Sequence, residues 1–103
     1  YQAVQVLVAE MDSRLESARG LVYDSAVRIV DGGGDTRASS RAKFTASDAA
    51  EFCARNAMQI YGGKGYRTDY PLERYYRDAR ILSIIGGTSE IQKTTVASEA
   101  LGL

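Results

Sequence analysis

The chain has 103 residues, of which 45% are hydrophobic and 25% charged, with Lys plus Arg and Asp plus Glu balanced at 13 each. That length allows one domain with a single core, and the charge balance leaves no overall field to draw the protein to nucleic acid or anionic lipid. There is no histidine, which removes the commonest general base and metal ligand, and the lone Cys53 excludes an internal disulfide.

No apolar run approaches the roughly 18 residues of a membrane span. The opening YQAVQVLVAEM lacks the basic region and cleavage site of a secretory signal. It enters helical pattern at once and without an initiator methionine, which reads as the start of a fragment.

From Val4 the apolar residues Val4, Leu7, Val8, Met11, Leu15, Ala18, Val22, Ala26 and Ile29 fall at spacings of three and four, one stripe along a helix. Glu10, Asp12, Arg14, Glu16 and Arg19 occupy the opposite face, and Arg28 stands near the end, where a cation suits the helix dipole. Asp31-Gly32-Gly33-Gly34-Asp35 stops this helix. No strand precedes the glycines and no Gly-Lys-Ser/Thr follows, so they read as a turn and not a phosphate loop.

A second helix is predicted from about Thr36 or Arg37 to Tyr61. Its expected buried side carries Ala38, Ala42, Ala46, Ala49, Ala50, Cys53 and Ala57, with Phe44, Phe52, Met58 and Ile60 as bulkier fillers. Small residues let helices approach closely, so this helix is expected to pack centrally and antiparallel to the first across their short connection. Cys53 reads as a small buried hydrophobe, since nothing in the sequence offers it a base.

Gly62-Gly63-Lys64-Gly65 closes the second helix. The dinucleotide fingerprint fails, because Thr68 stands where its third glycine belongs and no strand precedes it. The glycines nevertheless leave backbone that a ligand can approach closely. Pro71 suits the first turn of a third helix to Arg80, with Thr68 or Asp69 near its start. Arg74, Arg77 and Arg80 recur along it, with Glu73 and Asp78 able to pair locally. Ile81-Leu82-Ser83-Ile84-Ile85 is apolar enough to predict burial on more than one side, and Gly86-Gly87 ends it. Thr88 or Ser89 then caps a fourth helix with Ile91, Thr95, Ser98 and Leu101 along one side. No strand alternation occurs, so the fold class is all-α: an antiparallel bundle of two long helices followed by two shorter ones.

The stretch Gln59 to Gln92 holds five of the ten glycines, the only proline and five of the seven tyrosines. Within it, Gln59-x-x-Gly62-Gly63-x-Gly65-Tyr66-x-x-Asp69-x-x-x-x-Arg74-x-x-x-Asp78 resembles the C-terminal signature of the acyl-CoA dehydrogenases. Arg77-Asp78-Ala79-Arg80-Ile81 and Gly87-Thr88-Ser89-Glu90-Ile91-Gln92 resemble the same family, and Tyr1-Gln2-Ala3-Val4-Gln5 is similar to the segment after its flavin-contacting loop. The match covers essentially the whole chain.

The resemblance implies that this is most of the C-terminal helical bundle of a larger protein, with an N-terminal helical domain and a middle β domain upstream. Such proteins bind FAD, form dimers or tetramers, and desaturate acyl-CoA between the α and β carbons. A base takes the α proton, the β hydrogen leaves as hydride to the flavin, and electrons pass to an electron-transferring flavoprotein. A cytoplasmic or mitochondrial-matrix location follows, cytoplasmic in a bacterium. The resemblance places Gln59, Ile60, Tyr61, Gly62 and Gly63 against the FAD of a neighbouring subunit, and Thr88 and Glu90 against that of their own. It places Gly86 and Gly87 at the substrate. Many members carry the catalytic glutamate where Gly86 stands; glycine has no side chain to take a proton, although its N–H can still polarise a thioester carbonyl. No catalytic base is expected in this chain, and Glu90 matches a cofactor-side residue. The expected base lies on a helix upstream of Tyr1.

Two other readings need discriminating. A noncatalytic helical subunit or truncated paralogue supporting a partner flavoprotein would also lack a base. Nucleic-acid binding through Lys64, Arg67, Arg74, Arg77 and Arg80 is countered by the interspersed Asp69, Glu73 and Asp78.

Overall fold

The computed structural model describes residues 1–103. Helix α1 runs Gln2–Val30 and ends where Asp31 and Gly32 turn their N–H groups back onto Val27 and Ile29. Helix α2, Thr36–Tyr61, starts at Asp35, whose carboxylate accepts the Ala38 N–H at 3.0 Å. The same carboxylate takes Arg28 Nη1 at 2.7 Å, while Arg28 Nε reaches Asp24 at 3.0 Å. Arg28 therefore closes the turn between the long helices, beyond the dipole role its position suggests. The ion pair also explains the charge states: hydrogen bonding and the Asp24 charge raise the Arg28 pKa, and the Ala38 N–H, then Arg28, hold the Asp35 carboxyl below its ordinary range.

The two long helices are antiparallel, as expected. Met11 O meets Cys53 Sγ at 3.6 Å, the Arg14 guanidinium lies 4.0 Å from the centre of the Phe52 ring, and Ser25 Oγ bonds Ser39 Oγ at 3.0 Å. Each step forward along α1 is matched by a step back along α2. A 3-10 turn, Gly62–Tyr66, leads to α3, Leu72–Arg80; a second, Ile81–Ser83, leads through the glycine pair to α4, Ser89–Leu101. Helix α3 begins after Pro71, which stands at the cap position and has no side-chain acceptor to offer; Asp69, two residues earlier, pairs with Arg67 at 2.9 Å. Helix α2 touches every other element, whereas α1, α3 and α4 meet one another hardly at all. No helix is long and apolar enough to cross a membrane.

The core differs from the sequence expectation in kind. Its buried hydrophobic members are all alanines, Ala18, Ala38, Ala42, Ala49 and Ala79, joined by Ser25, Ser40, Ser47 and Ser89; no large side chain is fully buried. On α1 only Ala18 of the apolar stripe is buried, Leu7 and Met11 are half-buried, and Val4, Val8, Leu15, Val22 and Ile29 are exposed. A helix with one neighbour covers one line of contact, so a broad apolar stripe stays mostly outside. Ile91 and Leu101 on α4, which packs only on α2, are exposed for the same reason; Ile60, in the last turn of α2, is exposed as well. The predicted burial of the 81–85 segment is also not found: Ile84 and Ile85 are 49% and 52% exposed, because the segment lies along the outside of α2.

Candidate functional site

Two glycine-rich ends are hung on α2. At the first, Gly62 takes φ 65° and ψ −142°, which an L side chain rarely adopts, and its N–H returns to Met58 and Gln59 carbonyls. Gly65 then folds back onto the helix end so tightly that a Cβ there would stand 2.9 Å from Met58 O. Gly63, by contrast, has nothing within 4 Å of where its Cβ would be. The result is an open cleft of about 460 Å³ lined by Arg55, Met58, Gln59, Gly62, Gly63, Tyr66 and Tyr76. Arg55 is exposed there and pairs with no carboxylate.

Of the five residues expected at this end, Gln59, Gly62 and Gly63 line the cleft. Ile60 and Tyr61 are exposed elsewhere on the helix surface, with Tyr61 edge-on to Tyr70 at 6.0 Å between ring centres. Arg55, Tyr66 and Tyr76 join the cleft without having been anticipated. Arg55 stands four residues before Gln59 on one helix face and so was recoverable from spacing. Tyr76 arrives from α3, and nothing local in the sequence signals that.

At the second end, Gly86 and Gly87 take φ values of 67° and 92° and turn the chain into α4. Thr88 is the cap, its Oγ1 accepting the Ile91 N–H at 3.2 Å. Glu90 is exposed in the first turn, where a carboxylate suits the positive end of a helix. The N–H groups of Gly86, Gly87 and Thr88 donate to no backbone carbonyl. A side chain at Gly87 would collide with the Gln92 amide, and Gly86 is open except for Lys43 Cε at 3.8 Å. The Ser89 hydroxyl beside them is buried and has no hydrogen-bond partner.

These ends are not brought together. Lys43, against the second, and Gly62, at the first, are separated by about 28 Å along α2 at 1.5 Å per residue. The basic residues nearby are neutralised: Arg67 pairs with Asp69, Arg74 with Asp78, Arg77 with Glu73 and Arg80 with Glu51, all within 4.0 Å. The Arg77 hydrogen bond holds the Glu73 carboxyl below its ordinary range and raises Arg77 in turn. An arginine stripe tied up in this way is a poor surface for a phosphate backbone. Cys53 lies part-buried on α2; burial pushes its thiol pKa up, partly offset by Arg14, the reverse of what a nucleophile needs.

Residues 1–101 match the family model of the acyl-CoA dehydrogenase C-terminal domain. Cyclohexane-1-carbonyl-CoA dehydrogenase of Geobacter metallireducens is 40% identical over 101 residues, 98% of this chain and 27% of that protein. The mitochondrial short-chain specific acyl-CoA dehydrogenase of Rattus norvegicus is 46% identical over 97% of this chain and 24% of its own length. Among solved structures, butyryl-CoA dehydrogenase from Megasphaera elsdenii superposes with a TM-score of 0.95 at 38% identity, over 98% of this chain and 26% of that one. The chain thus spans about a quarter of the length of these relatives.

Proposed function

The chain belongs to the acyl-CoA dehydrogenase family as a C-terminal domain, and from that premise we propose that it is the helical, FAD-contacting and oligomerising domain of a three-domain flavoprotein that oxidises an acyl-CoA to the 2,3-enoyl-CoA. The observation that carries this reading is the pair of glycine ends on α2, exposed at Gly62, Gly63 and Gly86 and too far apart to serve one point of a ligand. Each chain then contributes to two cofactors, one in its own subunit and one in its neighbour's.

The residues present fit the cofactor. Gly63 leaves open backbone, Arg55 offers a free cation to a pyrophosphate, and the unbonded N–H groups at the start of α4 face no internal acceptor. Gln59, Gly62 and Gly63, with Ile60 and Tyr61 flanking them, would hold the neighbour's FAD; Thr88 and Glu90 would hold the chain's own. When bound, FAD supplies the acceptor for the hydride from the β carbon. The peptide N–H of Gly86, with Gly87 beside it, donates to the thioester carbonyl and stabilises the charge that develops there as the α proton leaves. Glycine at position 86 cannot take that proton, so the base is a carboxylate upstream of Tyr1. Electrons leave to an electron-transferring flavoprotein, and a reducing compartment, cytoplasm or mitochondrial matrix, follows from that partner.

The test is the full-length protein's flavin spectrum. It should purify with FAD, and anaerobic saturated acyl-CoA should bleach the flavin's visible band; a protein that neither holds nor can be loaded with FAD overturns the reading. Replacing each upstream glutamate by glutamine should find one variant that keeps FAD and loses turnover. If turnover survives at every position, the relocated base is wrong. The missing carboxylate at position 86 also favours a second reading, a noncatalytic helical subunit, which predicts flavin only when a partner flavoprotein is added. The isolated chain, holding one wall of each cleft, is expected to show no acyl-CoA-dependent dye reduction.

A further inference from the structure

The turn that carries Gly86 and Gly87 is not held by its own side chains, since Ile84 and Ile85 stand half in solvent. It is held through its carbonyls by two polar residues one turn apart on α2. Lys43 Nζ donates to Leu82 O and, at 3.4 Å, to Gly87 O. Ser47 Oγ shares its proton between Lys43 O at 2.8 Å and Leu82 O at 3.2 Å. Leu82 and Gly87 flank the turn, so one ammonium ties its beginning to its end. Lys43 is half-buried and pairs with no carboxylate, leaving its charge directed at these carbonyls. From the α4 side Gln92 Nε2 donates to Gly86 O at 3.4 Å.

These ties set the direction of the donors. In a planar trans peptide the carbonyl and the following N–H point to opposite sides. The Gly86 carbonyl faces Gln92 and the Gly87 carbonyl faces Lys43, so the Gly87 N–H points away from Gln92 and the Thr88 N–H away from Lys43. The Gly86 N–H lies on the preceding peptide, inside the span that Lys43 ties at Leu82 and Gly87. Glycine adopts many backbone angles at similar energy, so two in succession leave these peptide planes free to rotate unless something outside holds them. A carbonyl bound to a cation also polarises its own peptide, making the attached N–H a stronger donor.

We propose that Lys43, backed by Ser47, is a positioning residue for the acyl-CoA reaction: it clamps the turn at Leu82 and Gly87, on either side of Gly86, so that the Gly86 N–H between the two ties is held toward the thioester carbonyl. This rests on the reading given under Proposed function, and its test separates the two. In the full-length holoenzyme, Lys43→Met should lower kcat about tenfold or more, while KM and FAD per chain stay within about twofold of wild type. Lys43→Arg, which keeps a charged donor, should recover most of the loss. Amide exchange of the 82–92 segment in the resting enzyme should quicken in Lys43→Met and not in Lys43→Arg.

Wild-type kcat in Lys43→Met overturns the proposal, and so does unchanged exchange in that segment. Equal loss of kcat, FAD and thermal stability in both variants would mean a structural role only, and also overturns it. If wild-type enzyme binds no FAD or is not reduced by acyl-CoA, the functional reading falls and takes the catalytic role of Lys43 with it. An active wild type with an equally active Lys43→Met sinks the Lys43 role alone.

Discussion

Gly63 and Gly65 stand two residues apart in one turn and should respond oppositely to the same added methyl. At Gly65 a Cβ would lie 2.9 Å from Met58 O, 3.0 Å from Met58 Cα and 3.2 Å from Tyr61 Cβ, where ordinary contact begins at 3.4 Å. All three atoms belong to the end of α2, so the backbone must move, and overpacking of that kind costs about 1–3 kcal/mol. At Gly63 the methyl meets nothing within 4 Å and the backbone needs no positive φ. Gly63→Ala should therefore be neutral in stability or gain about 0.4–1 kcal/mol through the less flexible unfolded chain. If the cleft grips a flavin nucleotide through its backbone, the same methyl fills the approach and breaks a hydrogen bond to a charged group. Such bonds contribute about 1.5–3 kcal/mol, so Kd for FAD should rise about 10- to 150-fold. The assay is fluorescence titration of full-length apoprotein with FAD, beside a denaturant midpoint for each variant. A Gly63→Ala protein that is fully folded and binds FAD like wild type would refute the assignment of this cleft to the cofactor.

Three further outcomes are expected. The carboxyls of Asp35 and Glu73, lowered from ordinary values of 3.8 and 4.5, bind protons later when folded than when unfolded. The stability they lend is thus complete above those values and lost as pH falls through the lowered ones. The thermal midpoint should drop in that acid window, and Asp35→Asn with Glu73→Gln should flatten the drop; an unaltered acid limb counts against both ion pairs. Thr88→Ala removes the cap of α4 and should cost about 1 kcal/mol, read as faster amide exchange in its first turn, with Thr88→Ser close to wild type. Cys53, whose thiol pKa burial raises, should alkylate at about pH 8 far more slowly in the native protein than in denaturant; equal rates would contradict its burial against Met11.

The sequence made the elements legible wherever local chemistry punctuates the chain. Three glycines end α1, Gly62 ends α2 and Thr88 caps α4, each near the expected position. Burial was read less well. Periodicity says which residues share a face, not whether anything stands opposite, and so the α1 stripe lies mostly in solvent and the burial expected of the Ile81–Ile85 run is not met. The glycine ends were visible because glycine has few reasons to cluster. Their supports were not: Lys43 and Ser47 act on backbone carbonyls some forty residues away, and a carbonyl has no sequence signature. Arg28 likewise reads as a dipole partner until the turn brings Asp35 to it.

A bundle whose outer helices meet only through α2 behaves like spokes without a rim. Each spoke can detach without dragging the others, so native-state opening should be graded, with the ends of α1 exchanging first and the middle of α2 last. Both glycine ends are mounted on that most persistent element, which keeps their mutual spacing constant while the periphery breathes.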